Sequence, residues 1–281
     1  MLTVRAFVIG DPVTHSLSPC IHNAAYAHCG VDAAFSAVTV SKDDLAGFVS
    51  DLAPDLLGLA VTMPHKQAIM PYLDAIEPLA QAVGAVNTVV LSGNVRTGFN
   101  TDVYGIAQAL IHTAGEDVHF AKGGSAVILG ARATASSALA ALGQLKVGQV
   151  SVVARNFGGP GSISLAQTRL GVSTTPIPWR DEKRVVSALE SADIVVSTLP
   201  AGVADHWAGK FDVKAGAIVL DAAYDPWPSK LAQAASSGGA LVCSGHEMLL
   251  YQACQQFTLM TGEPAPVEVM RQALEEAVQR G

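Results

Sequence analysis

A lysine follows a buried, strand-like run in the segment GLAVTMPHKQ, residues 58–67. In α/β sheets, ligands bind at the carboxyl ends of the strands, and Thr62 and Lys66 lie at such an end. A partly desolvated lysine at that place is suited to general acid–base chemistry. The alternative is an ordinary solvated lysine, which is the simpler interpretation if Lys66 is taken by itself.

Two serines stand two positions apart in GDPVTHSLSPCIHN, residues 10–23. Ser16 and Ser18 lie between a predicted strand and the start of a predicted helix. Their hydroxyls and the unpaired N–H groups of the helix start favour an anion such as a carboxylate. The alternative is that Ser18 only caps the helix. His15 and His22 are equally compatible with structural roles.

Amide, carboxylate and phenol side chains recur at predicted strand ends further along the chain. Asn87 lies in GAVNTVV, residues 100–102 (Asn-Thr-Asp) open a helix, and Tyr224 follows a strand. Gln252 lies seven residues after Gly245, two turns along one helix face. Such donors and acceptors suit the hydroxyls of a polyhydroxylated ring. Asp102 alone would equally stabilise the start of its helix.

An alternation of strand-like and helix-like segments predicts how these residues are held. Predicted strands are residues 3–10, 33–40, 56–63, 85–91, 95–99, 125–130, 149–155, 172–177, 193–198, 217–222 and 240–244. Predicted helices lie within 18–30, 42–53, 67–73, 78–83, 102–114, 133–142, 163–170, 182–190, 229–236 and, as two pieces, 246–280. Ser18 is the predicted N-cap of the first helix, and residues 92–94 are the predicted turn between strands 85–91 and 95–99.

The rhythm of the second half, with near-continuous Val, Ile and Leu strands between helices, is typical of a parallel, doubly wound sheet. We therefore expect an α/β protein with an N-terminal α/β substrate domain, residues 1–104 and 245–281, and a Rossmann-type cofactor domain, residues 105–244. The C-terminal helices are expected to return to the first domain.

Composition narrows the class of protein further. The 281 residues carry a net charge of −7, which argues against nucleic-acid or membrane-surface binding. Neither a signal peptide nor a membrane span is predicted, and the four cysteines show no zinc spacing. We expect a cytoplasmic monomer or homodimer that acts on a small molecule and needs no metal.

The charge is unevenly distributed. Residues 118–180 contain no Asp or Glu, whereas six cations lie there: Lys122, Arg132, Lys146, Arg155, Arg169 and Arg180. A cationic segment in an acidic protein indicates an anionic ligand, although chance clustering is the alternative.

Together these motifs resemble the shikimate dehydrogenase family over essentially the whole chain. The matching segments are HSLSP (15–19), VTMPHK (61–66), GAVNT (84–88), NTD (100–102), DAAYDPWP (221–228) and GHEMLLYQA (245–253). VVARN, STLPA and YDPWP are similar to the actinobacterial branch.

The resemblance implies NADPH-dependent reduction of 3-dehydroshikimate to shikimate in aromatic amino-acid biosynthesis. It implies that Lys66 and Asp102 are the catalytic pair. The substrate carboxylate would be bound by Ser16 and Ser18, with Tyr224. The remaining substrate contacts implied are Thr62, Asn87 and Gln252, and the cofactor contacts are Gly130, Ala131, Arg132, Ala133, Thr134, Arg155, Asn156, Thr198, Gly245 and Met248.

The cofactor loop departs from the family pattern. Of the usual glycines in VILGARATASSAL, residues 127–139, only Gly130 is kept, and Arg132 stands where the backbone should approach phosphate. No acidic residue follows the next strand, where NAD binders accept from the ribose; Arg155 and Asn156 stand there and favour a 2′-phosphate.

Three interpretations follow. The first is the NADP-dependent shikimate dehydrogenase. The second is a relative that prefers quinate or NAD, against which the missing acid argues. The third is a non-catalytic paralogue with a decayed dinucleotide loop that acts as a binding protein, against which the complete set of catalytic residues argues.

Overall fold

The structure is a computed structural model that describes residues 4–115, 123–159 and 161–280. The chain divides into two compact units. Met1–Gly105 and Leu249–Gly281 form the first unit, and Ile106–Met248 forms the second. Lys122, one of the six cationic residues in the acid-free segment 118–180, lies outside the described residues.

The first unit is built on a six-stranded mixed sheet in the order β2-β1-β3-β5-β6-β4. Its strands are β1 (Val4–Gly10), β2 (Ala33–Thr39), β3 (Gly58–Val61), β4 (Ala75–Ile76), β5 (Thr88–Ser92) and β6 (Val95–Phe99). Strand β1 pairs in parallel with β2 and β3, while β5 runs antiparallel to β3 and β6. The carboxyl ends of β1 and β3 therefore lie side by side.

Strands β5 and β6 form a hairpin, as the sequence predicts. Ser92 pairs with Val95, so the loop has two residues, Gly93 and Asn94. Gly93 has φ +59°, and such tight hairpin turns require positive φ, which favours glycine. The hairpin brings the residues before β5 next to those after β6, because Asn87 N donates to Phe99 O.

Short helices follow the strands of this unit, and two long helices close it. They are α1 (Ser18–Cys29), α2 (Leu45–Ser50), α3 (His65–Ala68), α4 (Pro78–Val83), most of α10 (Gly245–Thr261) and α11 (Val267–Arg280). Helix α5 (Asp102–Ala114) begins in this unit and continues into the second. Helix α11 packs on α1, so the C-terminal helices return to the first unit as predicted. Tyr26, Phe257 and Met270 are among the buried residues at this junction.

The second unit has a six-stranded, all-parallel sheet in the order β12-β11-β10-β7-β8-β9. Its strands are β7 (Ser125–Leu129), β8 (Gln149–Ala154), β9 (Thr175–Pro178), β10 (Ile194–Ser197), β11 (Ile218–Asp221) and β12 (Leu241–Ser244). Its intervening helices are α6 (Ala133–Gln144), α7 (Ile163–Leu170), α8 (Glu182–Ser191) and α9 (Lys230–Ser237). The first strand of this unit, β7, lies in the middle of the sheet. Strands β8 and β9 follow on one side of it and β10, β11 and β12 on the other, which is the Rossmann order.

Two local predictions need correction, and one element was missed. Ser18 is the first helical residue of α1, and the N-cap is Leu17, with no side-chain cap. Ser16 takes over part of that task, since its Oγ accepts a hydrogen bond from Ser18 N at 3.3 Å. The helix predicted within 42–53 is only α2, and the edge strand β4 was not predicted from its two residues.

None of the helices in the described ranges combines the length and the apolar character of a membrane span.

Candidate active site

The centre of the site in the first unit is an ion pair between Lys66 and Asp102. Lys66 is the second residue of α3, just after β3, and Asp102 is the first residue of α5, just after β6. The distance between Lys66 Nζ and Asp102 Oδ2 is 2.6 Å, and the two side chains are 17% and 4% exposed. A shielded but reachable ammonium held by a buried carboxylate is suited to proton transfer.

Asn87 holds the second oxygen of the same carboxylate. Its Nδ2 lies 2.9 Å from Asp102 Oδ1, and its Oδ1 lies 2.7 Å from the backbone N of Thr101. Since a backbone N–H can only donate, the amide oxygen must face Thr101, and the NH₂ group must face Asp102. The carboxylate is therefore held from both sides.

Gln252 completes this group from helix α10. Its Oε1 lies 3.3 Å from Asn87 Nδ2, and its own Nε2 donates to Leu249 O at 3.0 Å. The structure thus brings together Lys66, Asp102, Asn87 and Gln252 from four separate segments, although Gln252 lies 165 residues from Asn87 in the chain. Each was a candidate from the sequence.

Ser16 lies in the loop that follows β1 and Ser18 is the first residue of α1, at the same sheet edge as Thr62. Asp11 N donates to Met63 O at 3.0 Å, which ties the start of this loop to the end of β3. Gly10 allows the approach, because a Cβ there would lie 2.4 Å from Thr62 Cγ2. Ser18 is buried and its hydroxyl does not cap α1, which removes the capping alternative for that side chain.

Tyr224 lies in the second unit, in the loop after β11. Asp221 organises this loop: its Oδ1 accepts from Ala223 N at 3.3 Å and its Oδ2 from Ser229 Oγ at 2.7 Å. The Tyr224 ring lies 5.0 Å from that of His246, and burial raises the pKa of its phenol. The hydroxyl is therefore available as a neutral hydrogen-bonding group.

The predicted dinucleotide loop starts at the end of β7. Gly130 has φ +114°, and a Cβ at this position would lie 2.4 Å from Thr198 Oγ1. Thr198 itself donates to Leu129 O through both its backbone N and its Oγ1, each at 2.9 Å. The one glycine that the loop retains is thus the one that this turn requires.

Arg132 is the N-cap of α6 and has an extended backbone, with φ −109° and ψ −163°. Its guanidinium is directed toward the loop after β8, because Arg132 Nη1 lies 3.9 Å from the position that a Cβ of Gly159 would take. Arg155 and Asn156 open that loop and are exposed, and Asn156 Oδ1 accepts from Gly158 N at 2.9 Å.

These side chains fit a phosphorylated ribose. In Rossmann domains the residue after the second strand contacts the ribose 2′ position. In this unit the second strand is β8, and the cationic Arg155 and the neutral Asn156 follow it. Arg132 and Arg155 can donate to a phosphate, whereas an acidic acceptor for a free 2′-hydroxyl is missing from residues 152–159.

The other predicted cofactor residues lie on both sides of this loop and at the start of α10. Ala131 is buried, Ala133 and Thr134 are half-buried, and Met248 is buried. Gly245 is required by packing, since a Cβ there would lie 2.5 Å from Ala222 O.

Sequence reasoning missed two contributors to the site, Thr88 and Gln256. Gln256 is 1% exposed and lies one helical turn after Gln252, so the spacing of four residues was the available signal. Within the described ranges, no three His, Cys, Asp or Glu side chains come together as metal ligands would.

A Rossmann-order sheet with a phosphate-compatible loop, together with a separate α/β unit that holds a buried Lys–Asp pair, defines a two-unit α/β protein of the dinucleotide-binding class. Comparison with known proteins narrows the class. Residues 8–89 match the model of the shikimate dehydrogenase substrate binding domain, and residues 245–275 match that of the shikimate 5′-dehydrogenase C-terminal domain.

Individual relatives agree along nearly the whole chain. The shikimate dehydrogenase (NADP(+)) of Moorella thermoacetica is 38% identical, over 96% of this chain and 92% of the relative. The crystal structure of Mycobacterium tuberculosis shikimate dehydrogenase superposes with a TM-score of 0.85 at 37% identity, covering 97% of this chain and 99% of that one. The Thermus thermophilus enzyme in complex with NADP(H) and shikimate gives a TM-score of 0.83 at 28% identity, covering 98% and 99%. The chain belongs to the shikimate dehydrogenase family.

Proposed function

We propose that this protein catalyses the NADPH-dependent reduction of 3-dehydroshikimate to shikimate, and the reverse oxidation. The observation that carries the proposal is the 2.6 Å ion pair between Lys66 Nζ and Asp102 Oδ2, which Asn87 and Gln252 surround. Family membership supports it, as does the fit of Arg132 and Arg155 to a 2′-phosphate.

The chemistry follows from what the side chains can hold and move. When bound, NADPH would supply a hydride to the C3 carbonyl carbon, and negative charge would then develop on the C3 oxygen. Lys66 Nζ donates a proton to that oxygen, and Asp102 keeps the ammonium in place. Because Lys66 Nζ donates to Asp102 Oδ2 at 2.6 Å, the two side chains act together in the proton transfer.

The remaining roles are assigned by chemistry. Ser16, Ser18 and Tyr224 bind the substrate carboxylate, and Thr62, Asn87 and Gln252 bind ring hydroxyls. The first unit accordingly holds most of the substrate contacts and the second unit the cofactor. The cofactor contacts that we assign are Gly130, Ala131, Arg132, Ala133, Thr134, Arg155, Asn156, Thr198, Gly245 and Met248.

A steady-state assay with shikimate and quinate, each with NADP⁺ and NAD⁺, tests the proposal. We expect the highest kcat/KM for shikimate with NADP⁺. Preference for quinate or NAD⁺ would support the second interpretation of the sequence. If calorimetry detects neither NADPH nor NADH binding at millimolar concentrations, the dehydrogenase assignment is wrong, and a binding protein with a decayed loop takes its place.

A cytoplasmic location and a monomeric or homodimeric state stay predictions from the sequence. Size-exclusion chromatography with light scattering measures the second of these directly.

A further inference from the structure

A buried polar network contacts the backbone carbonyl and the amide oxygen of Asn87, whereas Asp102 contacts the NH₂ group of the same residue. Gln256 in α10 is its centre: Nε2 donates to Asn87 O at 3.1 Å and to Thr88 Oγ1 at 3.0 Å. Its Oε1 lies 3.3 Å from His22 Nε2. We call His22, Gln256 and Thr88 the rear network. All three side chains are buried, so each hydrogen bond is made in the absence of competing water.

The hydrogen bonds of Gln256 have one self-consistent assignment. A backbone carbonyl can only accept, so the NH₂ group of Gln256 must face Asn87 O, and its Oε1 must face His22. An acceptor facing Nε2 requires that Nε2 carry the proton. The imidazole therefore has its hydrogen on Nε2, where it donates to Gln256.

His22 is held rigidly for this role. Its ring stacks on Phe35 with 4.2 Å between centroids and 5° between planes. The adjacent Asn23 fixes the Phe35 backbone, donating to its O at 2.9 Å and accepting from its N at 2.8 Å. Burial lowers the pKa of His22 to about 4, so the ring is neutral near pH 7 and has a single N–H to donate.

The rear network reaches the site through Thr88. Thr88 Oγ1 lies 3.0 Å from Asn87 Oδ1 and 3.2 Å from Thr101 Oγ1. Gln256 thus holds Asn87 by two routes, through its backbone carbonyl and through the hydroxyl that donates to its amide oxygen. The opposite end of that amide is the group that donates to Asp102 Oδ1 and Gln252 Oε1.

We propose that Gln256, oriented by the Nε2–H of His22, is a positioning residue that holds the Asn87 amide in the orientation needed by Asp102 and Gln252. This inference rests on the proposed function, because Asn87 and Asp102 act there on substrate. Gln256 and His22 are buried, and neither is assigned a contact with substrate. Their effect passes through Asn87.

The main test compares Gln256→Met with Gln255→Met. Methionine keeps the length of the side chain and removes its amide, and Gln255 is the half-exposed neighbour outside the rear network. We expect Gln256→Met to lower kcat for shikimate oxidation about 10-fold while the KM for NADP⁺ stays within twofold of wild type. Gln255→Met should leave both unchanged. Wild-type kcat and KM in Gln256→Met would overturn the inference.

A second pair of variants tests the donor and serves if Gln256→Met does not fold. A glutamine at position 22 can place an N–H where His22 Nε2 lies, and a leucine cannot. We expect His22→Gln to retain most of the wild-type kcat and His22→Leu to lose about as much as Gln256→Met. Equal kcat values in the two His22 variants would show that the donor does not matter.

A spectroscopic readout separates this inference from the proposed function. The side-chain NH₂ signals of Asn87 in a ¹⁵N–¹H correlation spectrum should shift in Gln256→Met and remain in place in Gln255→Met, whatever the enzyme's substrate. If the signals shift while the wild-type protein lacks shikimate dehydrogenase activity, the proposed function fails and the network stands. If they do not shift, the network fails.

Discussion

The backbone N of Thr101 lies 2.7 Å from Asn87 Oδ1, which identifies the end of the Asn87 amide that faces Thr101 as its oxygen. The NH₂ group is thereby directed to Asp102 Oδ1 at 2.9 Å. An amide is required at position 87, because only an amide offers an acceptor to the Thr101 N–H and a donor to the Asp102 carboxylate at the same time.

Asn87→Asp is nearly isosteric and tests this requirement. It places a second carboxylate oxygen where the NH₂ group faced Asp102, and two like charges at that distance strongly disfavour each other. We expect kcat/KM for shikimate to fall about 100-fold, the size of effect seen when a preorganised donor is lost.

The matched control is Asn94→Asp in the exposed turn of the β5–β6 hairpin, which should have wild-type kinetics. The test is the kcat/KM for shikimate of the two variants, measured by steady-state kinetics. An Asn87→Asp enzyme within twofold of wild type would show that the amide orientation is unimportant.

Lys66→Ala should lower kcat far more than it raises the KM for shikimate. Removal of a general acid–base group costs about 10²- to 10⁴-fold in rate, while the ring hydroxyls and the carboxylate keep their other partners. Lys42→Ala, at an exposed lysine of the same unit, is the control in the same assay. Unchanged turnover in Lys66→Ala would remove Lys66 from the mechanism.

Arg132→Gly tests the unusual dinucleotide loop. If the guanidinium binds the 2′-phosphate, NADPH binding should weaken about 10-fold, since a charge-assisted hydrogen bond is lost, and NADH binding should not change. Fluorescence titration of both cofactors measures this, with Arg180→Gly as the control at another exposed arginine of the second unit. Tighter NADPH binding in Arg132→Gly would mean that the side chain only obstructs the loop.

The depressed pKa of His22 predicts a pH-dependent loss of stability. The unfolded chain takes up a proton near pH 6.5, and the folded protein does so only near pH 4. The unfolded state therefore binds more protons in this window, and the free energy of unfolding falls as the pH drops from about 6.5 to 4. A pKa difference of this size corresponds to roughly 3 kcal/mol.

His22→Gln removes the titrating group and should flatten the dependence of the free energy of unfolding on pH over that window, as measured by urea denaturation at a series of pH values. His28→Gln, at an exposed histidine of the same helix, should follow the wild-type curve. A His22→Gln curve as steep as the wild-type curve would contradict the prediction.

Local signals explain which parts of the fold were predictable from the sequence. The all-parallel sheet follows from its Val, Ile and Leu runs, α5 has the predicted bounds, and the Gly93–Asn94 turn is marked by its residue types. Strand β4 was missed because its two residues, Ala75 and Ile76, give no pattern and are fixed by pairing with β6.

The site residues likewise divide into those with a local sequence signal and those without one. Lys66, Asp102 and Asn87 were found through motifs at strand and helix ends, and Gln252 through the GHEMLLYQA motif two turns into its helix. The partnership of His22 with Gln256 joins residues 234 positions apart. No local pattern encodes it, because it depends on how the C-terminal helices pack against α1. The prediction of Ser18 as an N-cap was wrong. Serine is a favoured residue at that position, but Leu17 is the N-cap and Ser18 is already the first residue of the helix.

A substitution at Gly10 can cause loss of function by steric clash alone, without removing a charge or a hydrogen-bonding side chain. The smallest possible addition there, a methyl group, would collide with Thr62 Cγ2 and also lie 2.9 Å from Met63 O. In a genetic screen, Gly10→Ala should therefore have the same phenotype as a disruptive substitution at Thr62, for which we propose a substrate contact, although alanine is the smallest replacement for glycine. A variant-scoring scheme that weighs only polar contacts would rate this allele as harmless.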